Sequence, residues 1–345
     1  MGSPEELGYR LLTEYTNGFL VSKVMFTACE LGVFDLLEGS GRPLGSEAIA
    51  DRLAASRRGM ELLLDTCVGL KLLHRETDDG KALYHNTALA TLYLTQSGPK
   101  SQYHMLLYYS KTTYVCWNYL TEAVREGKNQ YLRAFGKSSQ ELFEAIYRSE
   151  EELLTFMSGL NEMWRICGED VIASFDLAPF PLICDLGGGS GSLARECVSQ
   201  YPNCSVTIFD LPEAVQVAKR HFGLLEEQRI SFQAGDFFKE SIPEADLYIL
   251  ARVLHDWGDE KCLQLLSKIR EAGKPGCGLL VVETILDEDK TGPLVAQLYS
   301  VNMLVQTEGR ERTTAEYREL LAAAGFSRIQ VKRTGNPYDA ILGRK

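Results

Sequence analysis

The run Ile183-Cys184-Asp185-Leu186-Gly187-Gly188-Gly189-Ser190-Gly191 constrains this chain more than any other stretch. An apolar strand that ends in an acid and enters a glycine-dense turn lets a ligand approach the backbone closely, because glycine has no Cβ and tolerates positive φ. Asp210 follows in Ile208-Phe209-Asp210, where an acid ending the next strand accepts hydrogen bonds from a ribose diol. His255 stands in Leu254-His255-Asp256-Trp257, beyond the fourth strand, where an open sheet presents its ligands. These residues read as an enzyme with a nucleoside cofactor and a histidine base.

The rest of the chain supports that frame. After Pro179, apolar strands fit at 182–186, 205–209, 229–233, 246–251 and 278–283, alternating with helices at about 191–200, 212–222, 259–272, 293–306 and 313–324. Two late strands fit near 328–333 and 337–342. This is the α/β pattern of a doubly wound sheet with right-handed crossovers, its ligand crevice at the carboxyl ends of the strands beside the first one. Residues 7–38 read as helical and apolar around most of their circumference, more than one core-facing stripe needs. That surplus predicts dimerisation here, with burial inside the monomer as the alternative. From Pro43 to Leu94 the pattern is a helix capped by Ser46, a second helix from about Ser56, and strands 72–76 and 82–85 around an Asp-Asp-Gly-Lys turn, a winged-helix outline. Such an outline often reads DNA, but residues 41–95 balance seven Lys/Arg with seven Asp/Glu, so a dimerising wing is favoured. Residues 96–177 are helical and rich in aromatics, Tyr147 and Trp164 among them, suited to a core or to the roof of a planar ligand's site. The expected division is 1–110, 111–178 and 179–345.

The glycines at 187, 189 and 191 make G-x-G-x-G, which differs from the G-x-G-x-x-G that seats a pyrophosphate. Asp185 just before the turn repels pyrophosphate but attracts the ammonium of a methionine moiety. A further acid stands in Gly235-Asp236-Phe237-Phe238, where Asp236 can accept from an adenine amino group and Phe237 can pack on the ring. Acids serving an amine, a ribose and an adenine suit S-adenosylmethionine. A helix N-cap would account for Asp185 or Asp236 singly, but not for the ordered set.

These motifs, with His255-Asp256-Trp257 and Gly309-Arg310-Glu311-Arg312-Thr313, resemble the class I S-adenosylmethionine-dependent small-molecule O-methyltransferases typified by the plant caffeate and flavonoid enzymes. The resemblance covers nearly the whole chain, since that family joins such a core to an N-terminal winged-helix dimerisation domain. Asn17-Gly18-Phe19, residues 145–150, residues 251–257 and residues 299–309 are similar to the vertebrate members that act on a 5-hydroxyindole. The resemblance implies methyl transfer to the 5-hydroxyl of N-acetylserotonin, giving melatonin and S-adenosylhomocysteine, with His255 as general base. It implies Glu311 and Glu283 as the flanking glutamates, Glu311 as the better orienter because Glu283 ends a strand and can cap the next segment. It implies Tyr147, Trp164 and Arg252 as cofactor contacts beside Asp185, Gly187, Gly189, Asp210, Gly235, Asp236 and Phe237. Asn302 and Gln306, spaced i, i+4 on one helical face, are placed to hold the N-acetyl amide. Asp256 adjoins the histidine, where a substrate contact and a salt bridge in the turn both remain open. No metal is implied, and the other acceptor left open is a catechol or flavonoid-like phenol.

A net charge of −11 argues against nucleic-acid binding, which needs a basic face. The nine cysteines form no C-x-x-C pair and lie mostly among apolar residues, as reduced buried thiols do. Met1 to Glu6 has no apolar core and reads as no signal peptide, residue 6 is unsuited to myristoylation, and Glu14, Lys23, Glu30 and Asp35 rule against a membrane span in 11–37. A cytosolic protein is expected. The readings from other classes are a winged-helix ligand sensor without catalysis and a dinucleotide oxidoreductase.

Overall fold

The structure, a computed structural model, describes residues 3–136, 142–223 and 227–345. The described residues divide into two compact units, one up to Lys111 and one from Thr112.

In the first unit a helix Pro4–Glu30 begins at a capping box between Ser3 and Glu6. A continuous helix over 7–38 was expected, but the chain breaks at Gly32, whose φ of 75° is left-handed, and a second helix runs Val33–Ser40. The first helix carries much unburied apolar surface: Tyr9 is 72% and Tyr15 68% exposed, and Leu7, Leu11, Leu12, Phe19 and Leu20 are exposed too. Gly45 rather than Ser46 is the N-cap of the helix Ser46–Arg52. Ser56 does cap the helix Arg57–Gly69, its hydroxyl accepting from the Gly59 N–H. Strands β1 (Leu44–Gly45), β2 (Leu73–Asp78) and β3 (Lys81–Asn86) form an antiparallel sheet in the order β1-β3-β2, which is the wing.

The second unit is built on a seven-stranded sheet. Its strands are β4 (Leu182–Leu186), β5 (Ser205–Asp210), β6 (Ile230–Ala234), β7 (Leu247–Ala251), β8 (Gly278–Glu283), β11 (Ser327–Lys332) and β12 (Asp339–Arg344), in the order β11-β12-β8-β7-β4-β5-β6. Pairing is parallel from β8 through to β6, and β12 and β11 add an antiparallel edge. Leu247, Ile249, Leu279, Leu280, Val281 and Val282 are all fully buried, which is why these strands read as unbroken apolar runs. The order reverses at β4, which lies between β5 and β7. The crevice at the switch point therefore falls where the glycine-dense turn begins. Residues 112–178 fold with this unit, the helix Glu150–Ile172 packing along the helix Ser192–Gln200 with Gly168 against Leu193. A separate parallel ribbon pairs β9 (Ile285–Leu286) with β10 (Arg312–Thr313).

Candidate active site

At the switch point, Asp185 is buried on β4 and the chain turns through Gly187 and Gly189, both at positive φ. A Cβ at Gly188 would lie 2.6 Å from Asp185 Oδ2, so the turn folds back over the carboxylate only with glycine there. Asp185 Oδ2 has no hydrogen-bond partner, and burial, followed by the charge of Asp210, pushes this carboxyl up to about 7. Asp210 ends β5. Its Oδ2 accepts from the Gly189 N–H at 2.8 Å and its Oδ1 from the Leu211 N–H at 2.7 Å, while burial pushes its carboxyl up to about 6. Each oxygen keeps a second lone pair for a hydroxyl donor.

Asp236, beyond β6, is held locally: Oδ1 accepts from the Phe238 N–H at 2.8 Å and Oδ2 lies 3.1 Å from Lys239 Nζ. Gly235 sits tightly against the Phe209 ring, and the Phe237 ring edge lies within 4.0 Å of a Cβ built at Gly187. The expected cofactor acids are thus gathered around one turn. Tyr147 packs on Phe143 and Phe156, and Trp164 packs on Tyr338 with ring centres 5.3 Å apart. Arg252 leaves β7 with φ of 58°, a left-handed conformation for a residue with a side chain, and its guanidinium lies 5.5 Å from the Tyr338 ring.

His255 is buried on a short 3-10 turn after β7. Its Nδ1 is 2.8 Å from Glu311 Oε1 and 3.5 Å from Glu283 Oε2, and its Nε2 is 3.7 Å from Asp256 Oδ1. Glu311 therefore fixes the ring through Nδ1, and Nε2 has only Asp256 Oδ1 near it at 3.7 Å. Glu283 works differently from the strand cap considered in the sequence. Its Oε1 accepts from the backbone N–H groups of Val253, Leu254 and His255 itself, at 3.1, 2.9 and 3.3 Å. Glu283 thus holds the main chain of the turn and Glu311 the ring.

The electrostatics depart from an imidazole of ordinary pKa. Burial pushes His255 down, but Glu283, Glu311 and Asp256 together outweigh it and raise the ring to about 9. Burial likewise lifts Glu283 to about 7 and Asp256 to about 6. The three carboxylates thus favour the protonated ring more than the surroundings of an ordinary imidazole do. His255, Glu283 and Glu311 also offer three ligating atoms within 4.8 Å of one another, an arrangement a divalent cation can use.

Several residues that build this site were not singled out in the sequence. The β9–β10 ribbon sets Arg312 opposite Ile285, which brings Glu311 beside Glu283. Arg312 is 1% exposed and clamps the histidine turn, donating to the Leu254 and Trp257 carbonyls at 3.0 and 2.8 Å and to Asp259 at 2.6 Å. Gly309 presses on the same turn so closely that a Cβ there would lie 2.1 Å from the His255 carbonyl oxygen. Asn161 accepts from the Ser192 hydroxyl at the start of the helix after the glycine turn.

Asn302 and Gln306 lie on one face of the helix Leu294–Gln306, as the spacing required. Gln306 is buried and its amide is engaged internally: Oε1 accepts from Tyr131 and Nε2 donates to Asn302 Oδ1.

Residues 117–327 match the O-methyltransferase domain family, and residues 13–96 match the O-methyltransferase dimerisation domain. The chain belongs to the O-methyltransferase family. Within the family it is 63% identical to acetylserotonin O-methyltransferase of Gallus gallus and 59% identical to that of Homo sapiens, with all of each chain covered. It is similar to the solved human N-acetylserotonin methyltransferase in complex with SAM, with a TM-score of 0.97 over 100% of this chain and 99% of that one. A more distant solved structure, PigF with SAH, matches at 29% identity and a TM-score of 0.88, covering 97% and 99%. As in the family, the class I methyltransferase fold here has a mixed central sheet and an N-terminal helical dimerisation domain.

Proposed function

We propose that this O-methyltransferase transfers the methyl group of S-adenosylmethionine to the 5-hydroxyl of N-acetylserotonin, forming melatonin, with His255 as general base. The observation that supports the base is the imidazole itself, fixed at Nδ1 by Glu311 with Nε2 3.7 Å from Asp256 Oδ1. The acceptor follows from full-length identity of 59–63% to enzymes named for acetylserotonin.

The residues present fit the cofactor. Asp185 is a buried carboxylate with an unpartnered oxygen, which favours a cationic ligand group such as an ammonium. Asp210 has lone pairs left for a ribose diol, and Phe237 offers a ring face beside Gly187. Gly187, Gly189, Gly235, Asp236, Tyr147, Trp164 and Arg252 complete the proposed cofactor set. The chemistry supplied by bound S-adenosylmethionine is an electrophilic sulfonium methyl.

The protein's own part is alignment and proton removal. A phenol of pKa near 10 is a weak nucleophile until its proton leaves, and a positioned base is worth roughly 10²–10⁴-fold. His255 Nε2 accepts that proton as the phenolic oxygen forms its bond to carbon. Glu311 stabilises the imidazolium so formed, and Glu283 keeps the turn from shifting. Its carboxylate neighbours raise the proton affinity of His255, and the form competent as a base is the one in which the ring has released its proton. Asp256, within 3.7 Å of Nε2, is placed to meet the acceptor hydroxyl.

The same reading makes the protein a homodimer through its N-terminal unit, since an exposed apolar helix face of this extent is what a second subunit covers. A cytosolic location is part of the same reading, supported by nine cysteines that are all free and buried. The test is transfer of labelled methyl to N-acetylserotonin, with serotonin, a catechol and a flavonoid in parallel and with chelator in a second series. Preference for N-acetylserotonin, unaffected by chelator, is expected. Turnover confined to another phenol would overturn the acceptor, and loss with chelator would overturn the metal-free mechanism.

A further inference from the structure

Four side chains of the second unit form one hydrogen-bonded chain. Trp117 Nε1 donates to Asn302 Oδ1 at 2.8 Å, Gln306 Nε2 donates to the same oxygen at 2.6 Å, and Tyr131 meets Gln306 Oε1 at 3.1 Å. The direction of this chain is set by chemistry. An indole N–H can only donate, so the atom facing it must be the oxygen of the Asn302 amide. That oxygen can only accept, so Gln306 must turn its NH₂ towards it. Gln306 then presents its own oxygen to Tyr131, whose hydroxyl donates. One indole thus fixes the orientation of two amides that would otherwise be interchangeable by a flip.

The consequence lies at the other end of Asn302. With its oxygen saturated by two donors, this partly buried amide has its NH₂ left over, and Nδ2 makes no hydrogen bond among the described residues. The helix that carries Asn302 leads into the histidine turn: two residues beyond Gln306 the Glu308 N–H bonds the Asp256 carbonyl, and Glu311 follows on Nδ1 of His255.

We propose that Trp117 and Tyr131 are positioning residues that lock Asn302 as a hydrogen-bond donor, so that the acceptor's side chain is selected for a carbonyl oxygen and against an ammonium. Gln306 is the inner link of this lock, acting through Asn302. The proposal rests on the reading of the acceptor as N-acetylserotonin and adds the reason for its selection over serotonin. The acetamide carbonyl accepts from the Asn302 NH₂, whereas the protonated amine of serotonin brings a donor to a donor. Without the indole N–H the amide is free to flip and offer oxygen, which an ammonium welcomes.

The experiment measures kcat and KM for N-acetylserotonin and serotonin with the full-length protein and with Trp117→Phe, which keeps an aromatic ring but removes the N–H donor together with part of the bicycle. Loss of one directed hydrogen bond in a selecting contact predicts a ratio of kcat/KM values, N-acetylserotonin over serotonin, that falls about tenfold, with the change carried by KM. Tyr131→Phe removes the far end of the chain and is expected to lower the ratio by about threefold, since the indole still holds Asn302. A general packing defect would depress both substrates together and leave the ratio fixed, and that result would overturn the proposal. If Trp117→Phe does not fold, an unchanged ratio in Tyr131→Phe overturns it instead. If the parent protein shows no preference for N-acetylserotonin, the acceptor reading itself fails, a result separate from a preference that survives both substitutions.

Discussion

Two groups of buried carboxylates lie at the carboxyl edge of the same sheet, and their partners differ. At the switch point, Asp210 takes two backbone N–H groups, and Asp185 has an oxygen with no partner. Beyond β7 and β8, Glu283 and Glu311 are gathered around one imidazole and the main chain that carries it. Both groups leave buried carboxylate oxygens without a hydrogen-bond partner, Asp185 Oδ2 in the first and Glu283 Oε2 and Glu311 Oε2 in the second. The first has no cationic group of the chain beside its free oxygen and so favours an incoming cation, whereas the second has the His255 ring among its carboxylates. Buried acids can therefore prepare either a binding site or a base, and what decides is whether a titratable cation of the chain itself lies among them.

This difference yields separable effects. Asp210→Asn keeps the shape of the side chain but weakens acceptance from Gly189 and from a ribose. It is expected to raise the S-adenosylmethionine Kd by about 10–100-fold, in line with hydrogen bonds to a charged group, as read by calorimetry. An unchanged Kd would remove Asp210 from the cofactor site. The smaller effect belongs to the second group. Because kcat/KM reports the free enzyme, its acid limb should lie near the raised value of about 9 for His255, with the rate climbing as the ring loses its proton. Glu311→Gln takes away one of the charges that raise the ring, so the limb is expected to move to lower pH. A limb that stays in place would show that the glutamate does not hold the imidazolium.

The sheet and the cofactor acids were legible in the sequence because they depend on local order. Strands buried on both faces leave unbroken apolar runs, and Asp185 and Asp210 end theirs. His255 was legible as a candidate base from its place beyond the fourth strand, but Glu283 and Glu311 were legible only through a resemblance. Glu283 and Glu311 are 28 residues apart and meet through a ribbon of two-residue strands, too short for any periodicity to mark. Arg312 entered the sequence reading only as part of the motif around Glu311, yet among the described residues it is the largest fully buried side chain, with carbonyl and carboxylate acceptors converging on it. Gly309 gave no turn signal, since its requirement is a close approach by a distant backbone. Asn302 and Gln306 were correctly placed on one face, but their division of labour depends on Trp117, nearly two hundred residues away in sequence. The break at Gly32 was missed because the apolar pattern continues through it on both sides.

The most direct test of the central claim measures two quantities on one variant, His255→Ala: the S-adenosylmethionine Kd and the single-turnover rate of methyl transfer to N-acetylserotonin. If the two carboxylate groups have the separate tasks argued above, the Kd stays within about threefold while the rate falls by about 10²–10⁴, the range of a lost general base. A near-normal rate with the cofactor bound would contradict the account, leaving the imidazole as a structural link between two glutamates.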